Sequence, residues 1–372
     1  MKFGKQLHLR ITEYCNAACS FCGYNRNELQ QRIKTGYKPY VLDVSYFSRL
    51  LPVLYRNGFR KLHVTGGEPL MHPLFIEFLQ IAKVWHFSVQ TGTNGALLDE
   101  PTVKALRENQ LDFLWLSLDT FPFSDHIRHR GLDRQRENLV RGIELLQQYG
   151  INFFAQTVLS HIIPKRDGLP DLEAHIDYYV SEFNIRRFIF SYPMRRVTEH
   201  LTNRHLASDG SDTVQFTQEE LINIYESIIR LKQKRRDVQI VNPYLSLWQR
   251  VLESQDGKNG KHIGCSAGKD LFFLGNDEST VRPCYYYADT IISRVEAYPM
   301  KTTECYQTCN ACQDQCFRDS SIIYQLQRYP LQAISKIALH KDYRAYLMND
   351  LWDVIRHGRY KKPPQNNLRH TG

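Results

Sequence analysis

Apolar and polar positions follow one repeating order along roughly the first 200 residues: short strand-like runs, each followed by a longer amphipathic stretch. The strand-like runs are Leu7–Ile11, Lys61–Thr65, Phe87–Thr91, Phe113–Leu118, Asn152–Val158 and Arg187–Tyr192. Between them the spacing predicts helices over Val44–Arg56, Pro73–Trp85, Pro101–Asn109, Gln135–Tyr149 and Leu169–Phe183. Strands alternating with helices of this length imply right-handed crossovers and a parallel sheet. A polar interval, Thr198–Gln218, reads as a linker or exposed loop, and a helix follows over Glu219–Lys234. From Cys265 to Cys316 the periodicity gives way to cysteines, which predicts a separate metal-organised module. Tyr324–Ile355 is helical in pattern, and the closing HGRYKKPPQNNLRHTG reads as a disordered basic tail. The expected division is a core over 1–200, a linker and helical bridge over 201–260, the module over 261–325, and helices and tail over 326–372.

Composition narrows the class. No apolar run approaches about 18 residues, so no membrane span is expected. The opening MKFGKQLHLR lacks a signal-peptide apolar region. Nine cysteines, an odd number at metal spacings, point to a reducing, cytoplasmic setting rather than a disulfide framework. The formal charge of +9 is modest for 372 residues. It fits a solvated basic surface or an anionic substrate or partner, such as a phosphorylated sugar, nucleotide or acidic peptide, and nothing resembles the basic and aromatic stripe of a nucleic-acid binder.

The chemistry is carried by TEYCNAACSFCGY, where Cys15, Cys19 and Cys22 form a CxxxCxxC array after the first strand. Three such thiolates can hold three irons of a [4Fe–4S] cubane and leave the fourth iron open to a substrate; a zinc site, which needs a fourth ligand, is the rival. Further on, VTGGEPL places Gly66, Gly67, Glu68 and Pro69 at the end of the second strand. The two motifs, in this order, resemble the radical S-adenosylmethionine (SAM) superfamily. The resemblance implies a partial (β/α)6 TIM-type barrel with its chemistry at the C-terminal ends of the strands. It also implies a [4Fe–4S] cluster with an open iron, SAM, and an external electron donor such as flavodoxin or ferredoxin.

By the same resemblance, Glu68 accepts the SAM ammonium, the Gly66–Gly67 backbone approaches closely, and Tyr24 meets the adenine. Thr93 and Asn94 in QTGTNGALL face the methionyl or ribose end, and Ser117 and Asp119 in LSLDT line the SAM pocket. Arg130, before Gly131, matches the arginine that grips the SAM carboxylate, with Arg128 as the alternative. At the fifth strand Gln156 is favoured over Thr157 to face the cavity; Tyr192, Arg195 and Arg196 lie where a substrate or a domain junction would be.

Cys265 and Cys284 flank an apolar strand, a Gly–Asn–Asp turn and a second strand, which predicts a hairpin that brings them together. This resembles, in part, the opening of the SPASM and Twitch modules that hold auxiliary [4Fe–4S] clusters. Six cysteines are too few for two complete clusters, so a single Twitch-like cluster on Cys265, Cys284, Cys309 and Cys312 is expected. Cys316 is the nearest substitute and Cys305 the next; a structural zinc on Cys305, Cys309, Cys312 and Cys316 is the rival. The resemblance implies cleavage of SAM to a 5′-deoxyadenosyl radical and hydrogen abstraction from an unactivated carbon. Dehydrogenation, epimerisation or a related rearrangement would follow, by an oxidoreductase or isomerase. A first strand near residue 7 leaves no room ahead of it for the leader-binding domain common in peptide modifiers, which favours a small polar metabolite. Modification of a ribosomally made peptide or protein, and a non-catalytic iron–sulfur protein, are the alternatives.

Overall fold

The computed structural model describes residues 4–193, 211–256, 264–275, 278–285, 287, 290–303 and 315–328. In chain order it runs β1 (Lys5–Thr12), α1 (Arg26–Lys34), α2 (Val44–Arg56), β2 (Phe59–Gly66), α3 (Phe75–Val84), β3 (Ser88–Thr93), α4 (Glu100–Glu108) and β4 (Phe113–Ser117). Next come α5 (Phe123–Arg130), α6 (Arg136–Gln148), β5 (Phe153–Val158), the small ladder β6 (Lys165–Arg166) and β7 (Leu169–Pro170), α7 (Leu172–Phe183) and β8 (Arg187–Ser191). The remainder is α8 (Gln218–Lys234), β9 (Gln239–Ile240), α9 (Tyr244–Asp256), β10 (Leu271–Leu274), β11 (Thr280–Arg282), β12 (Ser293–Arg294) and α10 (Gln315–Arg328).

Six strands, β1, β2, β3, β4, β5 and β8, stand side by side in sequence order, every neighbouring pair parallel. Each of the six predicted strands is present, and all their C-terminal ends open on one rim. The helices that return the chain are set by ordinary local chemistry. Asp43 caps α2 by accepting from Tyr46 N–H at 2.7 Å, and Phe47, Leu50, Leu51 and Leu54 repeat on its buried stripe. Asp99 caps α4, and Thr217 with Glu220 forms a capping box on α8. Burial alternates along β3 and β4: Val89, Thr91, Leu114 and Leu116 face the helices, whereas Gln90, Gly92, Trp115 and Ser117 stay half-exposed on the concave face.

Several elements depart from the pattern-based expectation. Helix α7 begins at Leu172 rather than Leu169, because Leu169–Pro170 pairs with Lys165–Arg166 and Asp171 then caps the helix. Helices α1 and α5 were not predicted; both are short and mostly polar, so neither shows a long apolar stripe. Within the expected bridge, β9 pairs parallel with β8 and extends the sheet.

The largest departure concerns the cysteine-rich module. The expected hairpin is present, with Phe273 opposite Arg282 and Leu274 opposite Val281. It does not stand apart, however: β10 pairs parallel with β1, Leu7 opposite Phe272, so the hairpin continues the barrel sheet. The reason is apolar. Leu271, Phe272, Phe273 and Leu274 are all buried, and β1 would otherwise be a hydrophobic edge. Residues 194–210, 304–314 and 329–372 lie outside the described residues, and with them most of the expected linker, Arg195, Arg196, the distal helix and the tail.

Candidate active site

The cysteine loop leaves the rim end of β1, where the β1–β2 register shifts between Arg10 and Thr12. The GGEP turn holds this loop by backbone hydrogen bonds: Gly67 N–H donates to Thr12 O and Glu68 N–H to Tyr14 O, both 2.8 Å. The two glycines are required by this contact. A Cβ on Gly66 would lie 2.6 Å from Thr12 O, and one on Gly67 would lie 2.4 Å from Tyr14 O. The close approach assigned by resemblance to a cofactor is thus, here, an approach to the chain that carries Cys15.

Cys15, Cys19 and Cys22 sit on one loop; the charges of Cys19 and Cys22 raise the pKa of Cys15, and that of Cys22 raises Cys19. Burial is the larger effect; it pushes the Cys19 thiol up to about 12 and the Cys15 thiol higher still, with Glu68 adding to the shift at Cys15. Such thiols give up their protons only to a strong cationic acceptor. Two backbone donors favour the thiolate form: Ala17 N–H to Cys15 Sγ and Tyr24 N–H to Cys22 Sγ, both 3.4 Å. Among the described residues, no three His, Cys, Asp or Glu side chains close round a single metal ion. A cubane makes a different demand, one thiolate for each of three separate irons, and this donor set fits it.

Glu68 is almost fully buried and accepts three hydrogen bonds: Leu70 N–H and Thr93 Oγ1 on Oε1, and Asn94 N–H on Oε2. Burial raises its pKa, and the three donors and Arg130 oppose that. Asn94 also donates through Nδ2 to Asn16 Oδ1 at 2.7 Å, which ties the tip of β3 to the cysteine loop. Asn16, between Cys15 and Cys19, was not among the expected site residues; its place inside the CNAAC spacer was the available signal.

Asp119 and Arg130 form a buried ion pair, Oδ2 to Nη2 at 2.6 Å. Burial alone would raise the Asp119 carboxyl, but Arg130, His126 and His129 more than offset it and hold it below the usual range. Arg130 Nε is buried without a hydrogen-bond partner, an open donor of the sort an anionic ligand group would take. Arg128 is exposed and pairs with Asp125 on the surface of α5, so Arg130 is the arginine at the site. The carbonyl of Arg130 accepts Ala18 N–H at 2.7 Å, docking the end of α5 on the cysteine loop.

Three further expectations meet the geometry. The Tyr24 ring is buried with the Arg10 guanidinium 4.2 Å from its centroid, so that face is covered and is no open platform for a base. Ser117 and Gln156 lie opposite each other on β4 and β5, half-exposed on the concave face, and Gln156 Nε2 donates to Ser191 Oγ at 2.8 Å. Thr157 points the other way, donating to Leu118 O within the helix layer. Tyr192 is not a mouth residue: it is buried and donates to Asp319 Oδ1 of α10 at 2.9 Å. His8 and His63 stack at 4.6 Å inside the sheet, and burial pushes both below the usual histidine range.

Of the C-terminal cysteines, Cys265 and Cys284 share one buried apolar cluster with Phe273, Tyr285 and Phe317, and Cys316 packs against it. Ser321 Oγ donates to Cys265 Sγ at 3.8 Å. Cys305, Cys309 and Cys312 lie outside the described residues. The structure thus places Cys316, ranked behind Cys309 and Cys312 from sequence, beside the hairpin cysteines.

Residues 9–178 match the family model described as Radical SAM superfamily. Among curated proteins, the chain is similar to GTP 3′,8-cyclase of Chlorobaculum tepidum, 38% identical over 124 residues that make up 32% of this chain and 35% of that protein. It is also similar to PqqA peptide cyclase of Gluconobacter oxydans, 28% identical over 141 residues, 38% of this chain and 37% of that protein. The match therefore spans little more than a third of the length of either relative. Among solved structures, native anSMEcpe with bound AdoMet superposes with a TM-score of 0.53 over 95% of this chain and 97% of that one, at 18% identity, a likeness of fold. No described helix is long and apolar enough to cross a membrane.

Proposed function

We propose, from the premise that residues 9–178 form a radical SAM domain, that the chain is an enzyme acting on a small polar metabolite, with a [4Fe–4S] cluster on Cys15, Cys19 and Cys22 and SAM beside it. When bound, the two groups supply one-electron reductive cleavage of the sulfonium and a 5′-deoxyadenosyl radical able to take hydrogen from an unactivated carbon. The electron would come from a small external carrier such as flavodoxin or ferredoxin.

The protein's share is positioning. A carboxylate offers about four acceptor sites; Leu70, Thr93 and Asn94 occupy three on Glu68, which leaves room for the SAM ammonium. Arg130, with Nε free and Nη2 on Asp119, would take the carboxylate at the other end. The observation that carries the proposal is the clamp of the GGEP turn on the cysteine loop, which sets Glu68 beside Cys15 on the loop that carries all three thiols. For the substrate, support comes from the concave face: Gln90, Trp115, Ser117, Gln156 and Ser191 are half-exposed and uncharged, a lining suited to amide, hydroxyl and ring groups. An auxiliary cluster would take Cys265, Cys284 and Cys316, with a fourth thiolate from Cys305, Cys309 or Cys312; the shared apolar cluster supports this set.

Anaerobically reconstituted protein given SAM and dithionite should release 5′-deoxyadenosine, and the Cys15→Ala, Cys19→Ala, Cys22→Ala variant should release none. Nucleosides, nucleotides and sugars should then raise that release and transfer deuterium into 5′-deoxyadenosine. A response to peptides alone would move the substrate class to peptide modification.

A further inference from the structure

We infer that Arg130, held in place by Asp119, sets the reduction potential of the cluster on the cysteine loop, beyond any part it has in binding SAM. This rests on the proposed cluster at Cys15, Cys19 and Cys22.

Two observations carry it. First, the end of α5 is fixed to the loop. Arg130 O accepts Ala18 N–H at 2.7 Å, and Gly131, in the left-handed conformation at φ 60°, lies so close that a Cβ there would sit 3.0 Å from Ala18 Cβ. Second, the guanidinium is buried with its counter-ion: the Arg130 side chain is 8% exposed and Asp119 0%, at 2.6 Å. Charges so placed act through a low dielectric and are little screened by salt. Arg10, on the strand that leads into the loop, is itself paired with Glu13 at 3.8 Å.

The sign follows from electrostatics. One-electron reduction by an external donor adds a negative charge to the cluster, and a nearby buried cation stabilises the reduced form. Net charge and hydrogen bonding around the sulfurs are recognised determinants of cluster potential. Arg130 therefore raises the midpoint potential and Asp119 moderates it. Asp119 is a positioning residue, anchored by Val158 N–H on Oδ1 at 3.3 Å and by its own N–H on His126 Nδ1 at 3.1 Å.

The test is a dithionite titration of reconstituted protein without SAM, followed by electron paramagnetic resonance. The signal read is the one that vanishes in the Cys15→Ala, Cys19→Ala, Cys22→Ala variant. Arg130→Gln should lower the midpoint, Asp119→Asn should raise it, and Arg130→Lys and Arg128→Gln should leave it near wild type, all at equal iron content. Should Asp119→Asn fail to fold, the contrast of Gln with Lys at position 130 decides alone. An unchanged midpoint in Arg130→Gln, or shifts of one sign in both charge-removing variants, would overturn the inference. Absence of any signal that depends on the cysteine triad would instead remove the cluster assignment beneath it.

Discussion

Asn94 reaches from the tip of β3 to Asn16 on the cysteine loop, Nδ2 to Oδ1 at 2.7 Å, while its own N–H serves Glu68. One side chain thus couples the loop that carries the thiols to the carboxylate beside them. Asn16→Ala would strand a buried donor on Asn94, at a cost of about 1–3 kcal/mol. The expected result is faster loss of iron from the N-terminal cysteines to a chelator and a lowered melting temperature, read by iron assay and calorimetry.

The glycine pair supplies a sharper contrast. Alanine at Gly67 meets carbonyl oxygens of Tyr14 and Glu13 at 2.4 and 2.7 Å, and backbone cannot yield as a flexible side chain can. Gly67→Ala should lose at least the roughly 1–3 kcal/mol typical of overpacking and fail to retain iron at the cysteine loop. Gly92→Ala, whose nearest neighbour would be Trp115 O at 3.7 Å, should melt like wild type and still cleave SAM. Its methyl enters the concave face, so substrate-stimulated turnover should fall.

Glu68→Gln removes a desolvated charge while keeping shape. Loss of one partner of such a pair costs about 2–5 kcal/mol, so SAM affinity measured by equilibrium dialysis should fall well over tenfold. Arg130→Ala should do the same, whereas Arg128→Ala, on the surface, should not. Equal affinity in Glu68→Gln would shift the ammonium contact elsewhere on the loop.

Acid should unfold the protein through its buried histidines. Burial depresses His63 and His126 to about 3 and His175 to about 4, so all three are neutral in the fold. The unfolded chain binds their protons near pH 6.5, about 1.4 kcal/mol per unit for each group. Stability from this source is complete above about pH 6.5 and declines as the pH falls below it. The melting temperature of cluster-free protein should drop between pH 7 and 5. His175→Gln, able to keep the bond to Thr157 Oγ1, should flatten that slope by one proton.

Helix α10 is fastened by a buried carboxylate. Asp319 accepts from Tyr192, Ser246 and Asn242, and its neighbour Arg318 pairs with Glu253, which also holds Arg250. Asp319→Ala should cost about 1–3 kcal/mol and expose α10 to protease. Iron bound by the C-terminal cysteines should be lost, and that on Cys15, Cys19 and Cys22 retained.

The barrel was legible because each of its six strands is a run of apolar residues bounded by turn chemistry, and period and length decide such a case. Cys15, Glu68 and Arg130 were legible through local spacing. The contacts of Asn16, Glu13 and Tyr192 were not, since each partner lies far along the chain: Tyr37 and Tyr40 for Glu13, Asp319 for Tyr192. Helix α5 was hidden because five of its eight residues are charged or histidine, and its apolar face is Phe123 and Ile127 only. The place of the hairpin was hidden for another reason. Nothing local in Leu271–Leu274 tells which strand it will join, and register across so long a separation has no sequence signature.

That pairing bears on how the molecule is made. Gln6 of β1 cannot meet Leu271 until the ribosome has added 265 further residues (271 − 6). At roughly 5–20 residues per second, β1 waits on the order of ten to fifty seconds for its outer neighbour. Through that interval its apolar flank is bare, and a nascent chain in that state is a natural client for chaperones.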